Sequence, residues 1–348
     1  MRVNIPVFIF AALLLGSCSK KDPIVSLVKH NGQYGFIDNH GRWFINPNHD
    51  SLGILFNGYA SSYKNDLVGI IDHNGELVVD HCYKFIGHVF DKRALVLLQN
   101  DRYNFVDIEG KLISTEQFED AKDFGNGLAP VQREEDGLWE FINTEGETVI
   151  PQKFEAAYQF NNGFAKVFMN DWEEYLIDID GNVVDTVINQ KREKKYKLVG
   201  RPYSNSMGIE NSRGELIMEK KYNYFGYRQG DVFWYNQNDL YGLADTSGNI
   251  IIGPEYQYLS YFADCGLALA QQGDKWGFID KTGKVMIDFR YEKAKGFKHS
   301  LAAVKTSGKW GFIDPKGEMK IDPIFDRVGF QFRPVFGEYE LMYKTDRE

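Results

Sequence analysis

The sequence predicts an all-β chain: a tandem array of nine short antiparallel β-meander units, closed as a propeller-like toroid or, alternatively, left as an open β-solenoid. Three observations carry this. An aromatic-aliphatic phrase ending in Asp or Asn, then two variable residues and Gly, occurs nine times, with glycines at Gly41, Gly75, Gly110, Gly146, Gly181, Gly214, Gly248, Gly283 and Gly317. Their spacing stays between 33 and 36 residues, and a constant period of this size marks a repeat array. Eight positions after the glycine an aromatic residue returns, as Tyr83, Phe118, Phe154, Tyr222, Tyr256, Tyr291 and Phe325. A three-stranded meander has too little surface to bury itself, so this ring is read as a wedge between neighbouring units.

The first residues read as an address. Arg2 precedes an apolar run from Val7 to Leu15, well short of the about 20 residues a membrane helix needs. Leu15-Gly16-Ser17-Cys18 follows at once and resembles the lipobox of bacterial lipoproteins. That resemblance implies cleavage before Cys18 and acyl chains, palmitate among them, on that cysteine; the alternative is an ordinary secretory signal. Each chain would contribute about 0.8 kcal/mol per buried CH₂. Residues 1–17 are then a signal peptide, 18–29 a lipidated tether, and 30–348 one continuous array ending in a half-unit that closes or caps it. Ser19 rather than Asp behind the cysteine resembles the pattern of outer-membrane retention.

Within the array the stretch from Leu301 to Phe325 serves as the model unit. Leu301 to Lys305, Trp310 to Asp314 and Glu318 to Asp322 are short runs separated by Thr306-Ser307-Gly308-Lys309 and Pro315-Lys316-Gly317, the pattern of a meander with tight turns. Asp or Asn at the first turn position with Gly three residues later suits a type I turn followed by a left-handed residue. Those positions are Asp38, Asp72, Asp107, Asn143, Asp178, Asn211, Asp245, Asp280 and Asp314. A carboxylate at every copy of one turn is explained by hydrogen bonding to the backbone rather than by catalysis. A connector of about twelve residues completes each unit and supplies a fourth edge strand if the unit is a propeller blade. The stretches Gln331 to Phe336 and Tyr339 to Tyr343 supply strand material for closure or capping.

Lys275 to Asp280 and Lys309 to Asp314, both reading Lys-Trp-Gly-Phe-Ile-Asp, with the later steps Val149 to Phe154 and Ile321 to Phe325, resemble the WG-repeat family of bacterial proteins. The resemblance spans about residues 30 to 335 and implies the β-repeat architecture and a surface location, with no assigned chemistry. It weakens where Asn104, Glu140 and Tyr175 replace the glycine of the Trp-Gly pair, so irregular strands are expected in units 3 to 5.

Composition narrows the partners. The formal charge is −9, and removal of residues 1–17 deletes only the positive Arg2, so nucleic acid is excluded as a broad electrostatic partner. Cys82 and Cys265 lie at different offsets in distant units and read as small buried residues rather than a disulfide. No nucleophile elbow, zinc helix, phosphate loop or dinucleotide fingerprint is present, and no cofactor is implied. Six of the seven histidines, His30, His40, His49, His73, His81 and His88, cluster in the first two units, but their offsets do not repeat and no metal site is assigned.

Departures from the repeat remain as candidates. Lys191, Arg192, Lys194, Lys195 and Lys197 form a basic island in an acidic chain, and Trp172 and Trp234 lie off the repeat's Trp position. These seven residues are the candidate binding residues, with Cys18 for lipidation. The expected function is a non-enzymatic cell-envelope lipoprotein, anchored in the outer membrane, that presents its array to an envelope protein or glycan. The alternative is an envelope hydrolase, glycosidase-like, with its site at a propeller mouth.

Replacing Cys18 by Ala should move the protein from the washed membrane fraction to the soluble fraction without altering its thermal melting. Retention of the variant in membranes contradicts lipid attachment.

Overall fold

The structure, a computed structural model, describes residues 23–169, 173–186, 196–203, 205–211, 213–226, 232–329 and 333–334. Nine antiparallel sheets follow one another along the chain, one for each turn phrase, and are called blades 1 to 9. Blade 8 has the full pattern: a leading strand Tyr258–Phe262, then Leu267–Gln272, Lys275–Asp280 and Val285–Tyr291. A single residue, Glu292, separates the last strand from the leading strand of blade 9, Lys293–Ala294. The connector therefore supplies the fourth strand, as expected.

The turn phrase has one geometry throughout. In blade 8 the Asp280 Oδ1 accepts the backbone N–H groups of Thr282 and Lys284 at 2.8 and 3.1 Å, and Gly283, at φ +85°, donates to the Asp280 carbonyl at 3.0 Å. The paired acceptance recurs at all nine positions, from Asp38 to Asp314. Hydrogen bonds to the charged form, from side chains and from the backbone of the turn, hold several of these carboxyls below the ordinary range. Asp178 is held down first by the Asn182 N–H, Asp245 by the Asn249 amide and Asp280 by the Thr282 hydroxyl.

The positive-φ glycine also joins blades. A Cβ on Gly283 would stand 2.8 Å from Ile252 of blade 7, and one on Gly317 would stand 3.4 Å from Ile287 of blade 8. Gly181 meets Ile150 and Gly75 meets Ile45 in the same way, each isoleucine lying four residues after the turn glycine of the preceding blade. Gly41 of blade 1 meets Ile321 of blade 9 at 3.0 Å, so the contact that stacks neighbours also joins the two ends of the array.

Backbone pairing completes the closure. Ile24–His30, the first long strand of blade 1, pairs with Arg327–Val328 and with Arg333–Pro334. The C-terminal chain thus supplies blade 1 with its leading strand. Val28 and Ile37 share a buried cluster with Leu301, Ala303, Phe312 and Ile321 across the junction. The toroid is therefore what this sequence builds, and the open solenoid is not. Because the first strand begins at Ile24, residues 24–29 belong to blade 1 and not to the tether.

Similar clusters join successive blades from 6 through 9 and from 1 through 5. All seven aromatic residues of the eighth position are buried. Among the described residues no cluster joins blade 5 to blade 6. In the sequence Asp185 stands four residues after its turn glycine, where seven of the other blades carry Ile, Val or Met and blade 3 carries Ser114, and a Cβ on Gly214 would meet nothing within 4 Å.

The Trp-Gly glycine has a separate cause. The last strand bulges opposite it, and a Cβ on Gly277 or Gly311 would fall 2.7 or 2.6 Å from the carbonyl oxygen of Ile287 or Ile321. Where the glycine is lost, side chains fill the gap. Asn104 Nδ2 donates to the Ser114 and Glu116 carbonyls, and the last strand of blade 3 shrinks to isolated bridges. Glu140 is buried in blade 4 against Arg133 and Thr148, yet that blade keeps its full strand Thr148–Phe154. Among the described residues, the irregularity expected in units 3 to 5 is therefore seen in blade 3, while blade 4 keeps its full last strand.

Gly41→Ala and Gly214→Ala both impose a side chain on a left-handed residue, but only the first collides with a neighbouring blade. Urea unfolding should show a loss of about 2–4 kcal/mol for Gly41→Ala and about 1 kcal/mol for Gly214→Ala. Equal losses would remove the closing contact from the account.

Candidate functional site

Cys18, Trp172, Lys191, Arg192, Lys194 and Lys195 lie outside the described residues. Lys197 is exposed on the strand Tyr196–Val199 of blade 6, opposite Glu210 in the ladder. Trp234 is a correction: it is 5 % exposed, packs with Leu243, Ile252 and Leu259, and its Nε1 donates to the Ser260 carbonyl at 3.1 Å. It occupies the first long strand of blade 7 at the register where blade 8 has Leu269, an inward position, so distance from the Trp-Gly pair did not mean exposure. Cys82 and Cys265 are both exposed, contrary to the buried reading. Cys82 sits on the outward side of a strand beside the buried Tyr83, and Cys265 sits in a turn between Asp264 and Gly266.

The histidines disperse. His49 replaces the aromatic of the eighth position in blade 1, where burial pushes its pKa down and its Nε2 is buried without a partner. His81 contacts the Ser62 hydroxyl at 3.1 Å, His88 packs on Phe56 and His30 lies beside Trp43. Among the described residues no three His, Cys, Asp or Glu side chains stand together as metal ligands.

What converges instead is set by strand direction. Because strands alternate, the Asp-x-x-Gly turns lie at one end of every blade, and the hairpin between the first two long strands lies at the other. At that hairpin end the register aligns one residue from each strand in a row. In blade 8 the row is Tyr258, Gln271, Trp276 and Tyr291, and in blade 7 it is Tyr224, Asn236, Tyr241 and Tyr256. In blade 9 it is Lys293, Lys305, Trp310 and Phe325, and in blade 1 Arg327, Lys29, Tyr34 and His49. The last member is buried in the blades that carry an aromatic there, while the Trp-Gly ring is half-exposed in blades 1, 7, 8 and 9. A ring of aromatic edges with blade-specific neighbours therefore faces solvent at this end. The motif signals the rings; their neighbours become visible only once the register is known.

Two other features were missed in the sequence. A cleft of about 340 Å³ between blades 8 and 9 is lined by Arg290, Tyr291, Thr306, Gly317 and Met319. Asp123 of blade 4 sits where other blades carry His88, Gln159 or Tyr261, and its Oδ1 is buried without a partner. A Cβ on the neighbouring Gly87 of blade 3 would come within 2.5 Å of that oxygen. Burial pushes the Asp123 carboxyl up to about 6.

Six segments, residues 34–67, 105–139, 141–171, 241–276, 276–310 and 310–331, match the family described as WG containing repeat. No curated protein matches the chain. Among solved structures, the eukaryotic initiation factor crystal structure is similar at 10 % identity, covering 91 % of this chain and 99 % of that one, with a TM-score of 0.47. Dihydro-heme d1 dehydrogenase NirN is similar at 12 % identity, covering 90 % of this chain and 75 % of that one, with a TM-score of 0.41. BamB from Moraxella catarrhalis is similar at 11 % identity, covering 84 % and 97 %, with a TM-score of 0.28.

The raised Asp123 carboxyl has a definite sign in stability. The folded state favours its neutral form, so the cost is absent below the unfolded value of 3.8 and complete above about 6. Asp123→Asn should therefore raise stability by about 1–2 kcal/mol at pH 7.5 and leave it unchanged near pH 4. A variant less stable at pH 7.5 would show that the carboxylate has a partner.

Proposed function

The chain belongs to the WG containing repeat family, and from that premise we propose that it is a non-catalytic cell-envelope lipoprotein whose toroid docks an envelope protein or glycan on its hairpin-end face. The carrying observation is the set of half-exposed rings at the Trp-Gly position of blades 1, 7, 8 and 9, repeated at one end of the toroid. Rings of Tyr and Trp with an apolar body and a polar edge suit recognition at a wet surface. The repeated carboxylates favour the same reading, because each is engaged by backbone donors of its own turn. The hydrolase alternative needs two carboxylates about 5–9.5 Å apart across a cleft. The residues lining the cleft between blades 8 and 9 include an arginine and no carboxylate.

Export and anchoring rest on the run Val7 to Leu15 followed by Cys18, with Ser19 favouring the outer membrane. The island from Lys191 to Lys197 offers a second contact for an acidic partner, and a net charge of −9 argues against nucleic acid.

Affinity capture from envelope extract with the chain from Ser19 onward tests the reading. The wild type should retain a specific partner, and changing Lys191, Lys194 and Lys195 to Glu should weaken capture of an acidic one most at low salt, where screening is weakest. Turnover of an envelope glycan by the purified protein, abolished by a single carboxylate substitution, would contradict the non-catalytic assignment.

A further inference from the structure

The hairpin-end rows differ in chemistry between blades. Rows 9 and 1 pair their Trp-Gly ring with cations, Lys293 and Lys305 in one, Arg327 and Lys29 in the other. Rows 7 and 8 place a tyrosine and an amide there, Tyr224 with Asn236 and Tyr258 with Gln271. The same exchange occurs one residue before the leading strand. In blades 9 and 1 a carboxylate, Glu292 or Asp326, accepts the N–H of the hairpin glycine, Gly308 or Gly32. In blade 8 the Gln257 Oε1 accepts the Gly273 N–H at 2.8 Å, and in blade 7 the Asn223 Oδ1 accepts the Asn238 N–H at 3.1 Å. In these four blades the position supplies an acceptor of either kind. An amide supplies it without charge and adds N–H donors that a carboxylate lacks.

Blade 6 extends the patch. Its connection between the strands Tyr196–Val199 and Met207–Asn211 is longer than the two-residue turns at 238–239 and 307–308, and its described residues are 200–203 and 205–206. Tyr203 at its tip is 81 % exposed and holds φ +60°, a strained conformation for a bulky residue. Its ring lies 6.1 Å from Tyr224 with the planes 8° apart. In blade 8 Tyr258, 43 % exposed, lies 5.3 Å from Trp276.

We propose that the hairpin-end face of blades 7 and 8, extended by Tyr203, binds an uncharged glycan, a conclusion that rests on the docking reading above. Saccharide rings present flat C–H faces edged by hydroxyls that both donate and accept. Asn236 is buried, but the Tyr203 and Tyr258 rings are exposed, and the amides of Gln257, Gln271 and Asn223 reach the same face, matching both features. The absence of charge at three positions in each of blades 7 and 8, relative to blades 9 and 1, disfavours an ionic partner. The strain at Tyr203 is then the cost of presenting its ring beyond the hairpin plane.

The test is affinity electrophoresis of the chain from Ser19 onward in gels containing a β-glucan, an α-mannan, amylose or polygalacturonate. Retardation is expected with at least one neutral polymer, and it should persist at about 0.5 M salt, where charge attraction is screened. The double variant Tyr203→Ala and Tyr258→Ala, both exposed rings, should melt as the wild type does and bind about tenfold more weakly, about 1.4 kcal/mol. Lys293→Ala in blade 9 should bind normally. Undiminished binding by the double variant overturns the site. Retardation by none of the neutral polymers, or by polygalacturonate alone, overturns the ligand class, whereas the docking reading fails only if capture from envelope extract fails as well.

Discussion

The toroid depends on one contact made repeatedly: a turn glycine without a side chain lying against the isoleucine of the blade before it. The conformation of that glycine has a local cause, since the Asp or Asn three residues earlier holds two backbone N–H groups and leaves the chain left-handed at the fourth position. Its second consequence is longer in range. The absent Cβ opens a slot, and Ile45, Ile150, Ile252, Ile287 and Ile321 enter the slots of the following blades. Because Ile321 meets Gly41, the rule that stacks neighbours also closes the ring, and Arg327–Val328 then completes blade 1. Among the described residues the shared clusters run from blade 1 to blade 5 and from blade 6 to blade 9 and across the junction to blade 1.

This arrangement divides each blade by function. The turn end is committed to capping and to links between blades, such as the Gly127 N–H to Asp91 and the Gly163 N–H to Asn126. Blade faces are committed to the shared clusters. The hairpin end carries the least structural demand, since its first two row positions accept lysine, arginine, tyrosine or amide without changing the register. Sequence freedom at a fixed geometry is where recognition can differ from blade to blade.

Much of the fold was legible in the sequence because its causes are local. The nine turns, the buried eighth-position aromatics and the fourth strand from the connector all follow from short-range chemistry read at a constant period. Trp234 and Cys82 were misread because burial at a strand position depends on which face meets the next blade, which a repeat motif centred on another strand does not report; Cys265 was misread because its apolar neighbours hid a turn between two strands. The start of blade 1 at Ile24 was hidden because its partner, Arg327–Val328, lies at the other end of the chain. Of the candidate site, Lys197 is exposed as expected, but the rows of blades 7 and 8 emerge only when residues from three strands are brought into register. Asp123 was invisible for a related reason: its burial depends on Gly87, a glycine of the neighbouring blade.

Amide hydrogen exchange of the intact protein tests the closed ring most directly. Asp326 donates to the Lys29 carbonyl at 2.8 Å and Gly329 to that of Leu27 at 2.9 Å, so both amides are backbone bonds between the two ends of the array. The account predicts that they exchange as slowly as the amides of Val285–Tyr291 inside blade 8 and open together with those of Ile24–His30. Rapid exchange at residues 326 and 329, with blades 7 to 9 still protected, would mean that the array is open and that its first and last blades stand apart.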